Sequence, residues 1–249
     1  MQRFKKPPLR VEVTTLWDYP SQSYGDTIQG DPNYAGVTPS YIIWNLLQRY
    51  TQPGNLVVDP CAGSGTTLDV ARDLGRRALG YDLQPTRKDI FRVDARKLPA
   101  ELTGKVDFVF IDPPYSTHIE YSDDPRCLGK LDVSGTAYYE AMEQVIREIQ
   151  RVLKPGRHMG LYVADSFVKG QGFYPLGFEL FGLLRKYLEP TDIISVTRHN
   201  KTLAMGNYRK AAEEGNFFLR GFNYLFIMRK AMGDGRAEAG VRPTPISRG

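Results

Sequence analysis

Short apolar runs that stop on an aspartate recur along this chain, and they constrain its fold more than any other feature. Asn55-Leu56-Val57-Val58 ends on Asp59, and Ala78-Leu79-Gly80-Tyr81 ends on Asp82. Ile90-Phe91-Arg92-Val93 ends on Asp94, and Val106-Asp107-Phe108-Val109-Phe110-Ile111 ends on Asp112. Such β-branched and aromatic runs predict buried strands. Helical patterns alternate with them. Thr38-Pro39-Ser40 opens a helix carrying Ile42, Ile43, Leu46, Leu47 and Tyr50 at helical spacing. Leu68, Val70, Ala71 and Leu74 mark a second helix that ends at Gly75. Residues 139–153 give the clearest one, with Met142, Val145, Ile146, Ile149, Val152 and Leu153 in a single stripe. Strand–helix alternation predicts an α/β fold: a parallel sheet with helices on both faces.

The same reading extends to the ends. Residues 9–16 alternate as a short strand inside an otherwise irregular N-terminal extension, residues 1–36. Strands are expected from Met159 to Asp165, from Asp192 to Val196 and from Gly221 to Met228, with a helix over residues 175–188. Residues 198–220 read as a long ordered loop or hairpin arm. Residues 231–249 are rich in Gly, Arg and Pro and read as a flexible tail, leaving 37–230 as the core domain.

Composition narrows the classes. Two cysteines and three histidines support neither a disulfide framework nor a zinc site, and no metal is expected. No apolar stretch approaches a membrane span, and residues 1–9 lack the apolar region of a secretory signal, so a cytosolic location is the default. The 33 Lys+Arg against 28 Asp+Glu leave +5, which permits a polyanionic partner without demanding one.

Two segments carry chemistry. Asp112-Pro113-Pro114-Tyr115 offers acceptors only, because the prolines lack N–H donors, and sets a flat ring beside them. It suits an NH2 group on a planar heterocycle. Upstream, Pro60-Cys61-Ala62-Gly63-Ser64-Gly65-Thr66-Thr67 is a glycine-rich turn into a helix. It lacks the Gly-Lys pair of a phosphate loop and the third glycine of a dinucleotide fingerprint. Gly63 and Gly65 let a ligand approach the backbone, and Asp82 ends the next strand, where an acid can hold ribose hydroxyls. A nucleoside with its base near Asp94 satisfies this set. A nicotinamide oxidoreductase remains a competitor on the glycine turn alone.

Taken together, Asp59 to Thr67, the run Leu74 to Asp82, the tetrad Asp112 to Tyr115 and Val152-Leu153-Lys154-Pro155-Gly156 resemble the S-adenosylmethionine-dependent DNA methyltransferases that modify exocyclic amino groups. The resemblance covers residues 37–230. It implies a Rossmann-like class I methyltransferase with a mostly parallel seven-stranded sheet and an antiparallel last strand. It also implies S-adenosyl-L-methionine as cofactor, held by Asp59, Pro60, Cys61, Ala62, Gly63, Ser64, Gly65, Thr66, Thr67, Asp82 and Asp94. Thr38 stands where the family has further cofactor contacts, commonly as Lys-Pro. Asp112, Pro113, Pro114 and Tyr115 are the implied catalytic residues, orienting the amine without a covalent nucleophile. The aspartate heading the tetrad leans toward adenine N6 over cytosine N4. An RNA base-amine methyltransferase and a silent nucleic-acid-binding relative are the alternatives, and a cognate restriction endonuclease is the partner the resemblance brings with it. Nucleic acid, DNA ahead of RNA, is expected on two loops: residues 116–135 with His118, Tyr121, Arg126 and Lys130, and residues 198–221 with Arg198, Lys201, Arg209, Lys210 and Arg220.

Overall fold

The computed structural model describes residues 6–115, 122–168, 172–199, 203 and 205–233. Strands β2 (Leu56–Asp59), β3 (Arg77–Asp82), β4 (Ile90–Arg92), β5 (Val106–Ile111), β6 (Leu153–Val163), β9 (Glu189–Thr197) and β10 (Phe222–Arg229) form the main sheet, with β1 (Leu16–Trp17) on one edge. The order is β1-β9-β10-β6-β5-β2-β3-β4. β10 runs antiparallel to both β6 and β9, and the other pairings are parallel. This is the class I methyltransferase fold, with β1 as an eighth strand beyond the expected seven. The expected strand over residues 9–16 is reduced to Leu16–Trp17, whose register is Leu16 to Ser195 and Trp17 to Val196.

Burial explains why the strands lack simple alternation. Every residue of β5 is buried, because helices cover both faces. On one face α1 (Ser40–Tyr50) and α2 (Thr66–Asp73) pack, α1 burying Ile42, Ile43, Leu46 and Leu47. On the other lie α3 (Thr136–Val152) and α4 (Leu176–Leu184), with Met142, Val145, Ile146 and Ile149 of α3 fully buried. The stripe read from the sequence is therefore the packed face. Two helices differ from expectation, and β6 starts at Leu153, ahead of the expected Met159. The helix expected over 175–188 stops at Leu184, and the arm expected over 198–220 contains a helix, α5 (Gly206–Glu214), none of whose residues is buried. A helix with no apolar stripe leaves no periodic signal. A hairpin, β7 (Ser166–Val168) with β8 (Gly172–Tyr174), stands apart from the main sheet.

The order reverses at β2 and β5: β3 and β4 continue one way, β6 the other. A crevice opens outside the carboxyl ends of the strands at such a reversal. Asp59 and Asp112 are the residues that β2 and β5 deliver there. Asp107 at the opposite end of β5 is buried but fully engaged, accepting from Leu56 N at 2.9 Å and Lys154 Nζ at 2.7 Å. Its role is structural.

Candidate active site

Two clefts meet at Asp112. The first is lined by the glycine turn, Asp59, Asp82, Asp94, Asp112, Pro113 and Pro114. The second is lined by Tyr115, Tyr162, Arg198, His199, Asn223 and again Asp112. The tetrad thus divides between them, its prolines facing one cleft and its tyrosine the other.

The first cleft is held open by its own hydrogen bonds. Asp59, buried at the end of β2, accepts from Thr67 Oγ1 at 2.5 Å and Cys61 N at 3.0 Å, which fastens both arms of the turn to the strand. Burial lifts its pKa to about 7. Gly63 and Gly65 both take positive φ, +47° and +83°. A Cβ on Gly63 would meet the Tyr34 ring at 3.0 Å, so only glycine leaves space at that wall. Asp82 accepts Gly63 N at 3.0 Å and Gln84 N at 2.9 Å, so one carboxylate ties β3 to the turn. Asp94 lines the cleft as expected, yet both its oxygens are paired with Arg96, at 2.9 and 2.7 Å. Cys61 and Cys127 line the cleft too, and burial pushes the Cys61 thiol well above its usual range, away from thiolate chemistry.

Thr38 lines the first cleft and also reaches the tetrad. Its Oγ1 donates to Asp112 Oδ2 at 2.7 Å. Burial raises the Asp112 pKa to about 7; the Thr38 hydroxyl pulls it down, the Asp59 carboxylate pushes it up and Arg198 pulls it down. Burial likewise raises the Tyr115 hydroxyl, to about 12, so the ring enters the second cleft neutral.

The sequence reading did not single out Tyr34, Gly36 and Val37, which line the first cleft, or Tyr162 and Asn223, which line the second. They come partly from a strap, residues 18–39, expected only as an irregular extension. The strap is pinned by long-range side-chain bonds: Gln22 Nε2 to Thr38 O at 2.5 Å, Ser40 Oγ to Gln29 Oε1 at 3.0 Å and Gly30 N to Asp69 Oδ2 at 2.9 Å.

Of the expected nucleic-acid residues, His118, Tyr121 and Lys201 fall outside the described residues. Arg126 pairs with Asp124 at 2.6 Å and Lys130 donates to Asp123 O at 2.8 Å, so both brace their own loop. Arg198 enters the second cleft. Arg209 and Lys210 are exposed on α5, and Arg220 lies over the Phe173 ring at 5.0 Å. Among the described residues, no cluster of three or more His, Cys, Asp or Glu suits a metal, and no helix is long and apolar enough to cross a membrane.

Comparison with known proteins agrees with this architecture. Among solved structures, TrmN from Thermus thermophilus superposes with a TM-score of 0.53 at 18% identity, over 79% of this chain and 50% of that one. The [4+2]-cyclase SpnF superposes with a TM-score of 0.52 at 18% identity, over 83% and 88%. These establish the fold alone. The Type II methyltransferase M2.DpnII of Streptococcus pneumoniae is 36% identical over 63 residues, 25% of this chain and 22% of that protein. The Type II methyltransferase M.MthZI of Methanothermobacter thermautotrophicus is 36% identical over 56 residues, 22% of this chain and 16% of that protein. The matched stretches therefore span about a fifth of the curated relatives' own length. Residues 2–92 match the N6/N4 family model described as DNA methylase, a stretch that holds the strap, the glycine turn and Asp82 and stops short of Asp112. S-adenosyl-L-methionine is the cofactor of that family, and the first cleft, with its glycine wall and strand-end acids, fits it. Over residues 2–92, then, the chain is similar to the N6/N4 DNA methylases.

Proposed function

We propose that the protein is a DNA methyltransferase that moves a methyl group from S-adenosyl-L-methionine to an exocyclic amino nitrogen, adenine N6 ahead of cytosine N4. The observation that carries this reading is the meeting of two clefts at one carboxylate, a donor cleft walled by glycine and an acceptor cleft walled by aromatic rings. When bound, the cofactor supplies a sulfonium methyl, an electrophile that needs only a correctly aimed lone pair.

The chain's residues aim it. An aromatic amine is a poor nucleophile because its lone pair is delocalised into the ring. The Asp112 carboxylate and the Pro113 carbonyl accept its two hydrogens, which localises the lone pair on nitrogen and turns it toward the first cleft. A hydrogen bond to a charged group contributes about 1.5–3 kcal/mol, and it accelerates transfer to the extent that it strengthens as the nitrogen becomes cationic. Tyr115 stacks on the base, worth ~1–3 kcal/mol. Asp112 then receives the proton released by the methylated amine, a role suited to a carboxylate whose pKa is about 7. A base inside a duplex must leave the stack to reach this depth. Arg198 at the cleft and Arg209 and Lys210 on α5 are the cations available to the backbone phosphates.

The decisive assay incubates the protein with labelled S-adenosyl-L-methionine and either DNA or RNA, digests to nucleosides and identifies the methylated base. N6-methyladenine in DNA is expected. Label confined to RNA moves the substrate to RNA, and no label despite cofactor binding leaves the silent-relative reading standing.

Thr38 gives a pH test. Only ionised Asp112 accepts both the Thr38 hydroxyl and the amine, so kcat/KM is expected to fall as pH drops through about 7. Thr38→Val removes a donor to the ionised form and raises the carboxyl pKa, moving this acidic limb upward by about one pH unit. Thr38→Ser is expected to restore it. A limb that stays in place in Thr38→Val would show that the hydroxyl does not tune Asp112.

A further inference from the structure

β10 presents Asn223, Leu225 and Ile227 to one face of the sheet, the face packed by α1. Leu225 and Ile227 are 0% and 1% exposed core residues, and Asn223 takes the third place in that apolar stripe at 7% exposure. Its backbone is aligned opposite Val196, so the residue is fixed by the sheet. Its side chain is not. Oδ1 is buried with no hydrogen-bond partner, and no described residue bonds to Nδ2. A buried carboxamide left unpaired is destabilising, and such groups are rare enough to call for an explanation.

The explanation lies in what Asn223 lines. It walls the second cleft at the same sheet edge as Asp112, with only β6 between their strands. The Tyr41 hydroxyl, on α1 and 2% exposed, lines the same cleft and is likewise buried without a partner. Oδ1 and the Tyr41 hydroxyl are shut off from the cleft, so the Nδ2 end of the amide, which no described residue engages, is the part left to meet a ligand there. Asp112 and the Pro113 carbonyl supply acceptors, so they can satisfy the amine but not its neighbour. In adenine and cytosine that neighbour is a ring nitrogen bearing a lone pair. It needs a donor. Arg198 could donate, but a cation on the ring nitrogen would withdraw electron density from the amine. A neutral carboxamide donates with less of that cost.

We infer that Asn223 is a specificity-determining residue of the acceptor cleft: its carboxamide Nδ2 donates to the ring nitrogen beside the amine, N1 of adenine or N3 of cytosine. The inference rests on the reading of this cleft as the site of a base amine. It restricts acceptors to aminated rings with an unprotonated nitrogen at that position.

Two measurements test it. The first needs no activity. Asn223→Leu extends the apolar stripe and removes an unpaired amide, so Tm is expected to rise by a few degrees. A fall in Tm would assign the carboxamide a structural role and overturn the inference. The second uses an oligonucleotide carrying the site mapped by labelling, with its target adenine replaced by 1-deaza-adenine or, separately, by 7-deaza-adenine. For a cytosine target, 3-deazacytosine takes the place of the first analogue. Wild-type kcat/KM is expected to fall about tenfold on 1-deaza-adenine and to stay near its normal value on 7-deaza-adenine. Asn223→Ala should lose about tenfold on the natural base and then treat the natural and 1-deaza bases alike. Full discrimination by Asn223→Ala, or an unchanged rate on the natural base, would overturn the inference while leaving the proposed reaction intact. Absence of transfer by the wild-type protein would instead remove the reaction on which the inference rests, and the Tm measurement would still report on the carboxamide.

Discussion

Asp112→Ala is expected to lower methyl transfer by about 10²–10³-fold while leaving cofactor affinity within a few-fold of wild type. The rate loss follows from removing the acceptor that localises the amine lone pair. Deleting one preorganised group aimed at charge that develops in a transition state costs about 3–4 kcal/mol in comparable sites. The preserved affinity follows from where the proposed cofactor contacts lie. Asp59 and Asp82 hold the glycine turn by their own bonds to Cys61, Thr67 and Gly63, none of which passes through Asp112. The variant should also lose the acidic limb near pH 7, since the titrating group is gone. Single-turnover transfer and calorimetric titration of the cofactor separate the two effects. Collapse of cofactor binding in Asp112→Ala would place the methyl donor across the tetrad and contradict the division into two clefts.

Asp82→Ala should do the reverse. Its carboxylate accepts from Gly63 N and Gln84 N, so it shapes the turn and lines the first cleft, where the proposed cofactor would lie. Losing hydrogen bonds to a charged acceptor removes about 1.5–3 kcal/mol each. With the turn loosened as well, cofactor Kd is expected to rise at least about 30-fold, while kcat at saturating cofactor falls little. An unchanged Kd would mean that the cofactor does not use the end of β3. The two variants together form a double dissociation: one aspartate governs the reaction, the other occupancy.

Both aspartates were legible in the sequence for a physical reason. A strand buried on both faces is an apolar run, and a carboxylate can follow it only where the strand leaves the core, so Asp59, Asp82 and Asp112 announce the catalytic edge of the sheet. The glycine turn is equally legible, because Gly63 and Gly65 need positive φ and give a local signal. What escaped notice is encoded non-locally. The strap has no periodicity because its conformation is set by bonds to distant residues, Gly30 to Asp69 and Gln29 to Ser40 among them. Tyr34 therefore gives no hint that it covers Gly63. Thr38 read as a helix-start residue with an implied cofactor contact; its bond to Asp112 spans 74 positions. Asn223 hides for the opposite reason: it occupies one beat of a regular strand, and only burial reveals that its amide has no partner. The helix α5 is exposed on all sides and reads like a loop.

The pairing of β1 with β9 has a consequence for how the molecule comes into being. Trp17 is synthesised long before its strand partner, yet its strand pairs only with Ser195 and Val196, and Thr15 O waits for Ser195 N. The segment that walls both clefts is therefore made before the strand that seats it. A growing chain can build β2 to β6, glycine turn and tetrad included, before the edge that receives β1 exists. Completion of the clefts is tied in this way to completion of the sheet, and a nascent chain with its glycine turn and tetrad in place still lacks the walls that the strap after β1 supplies.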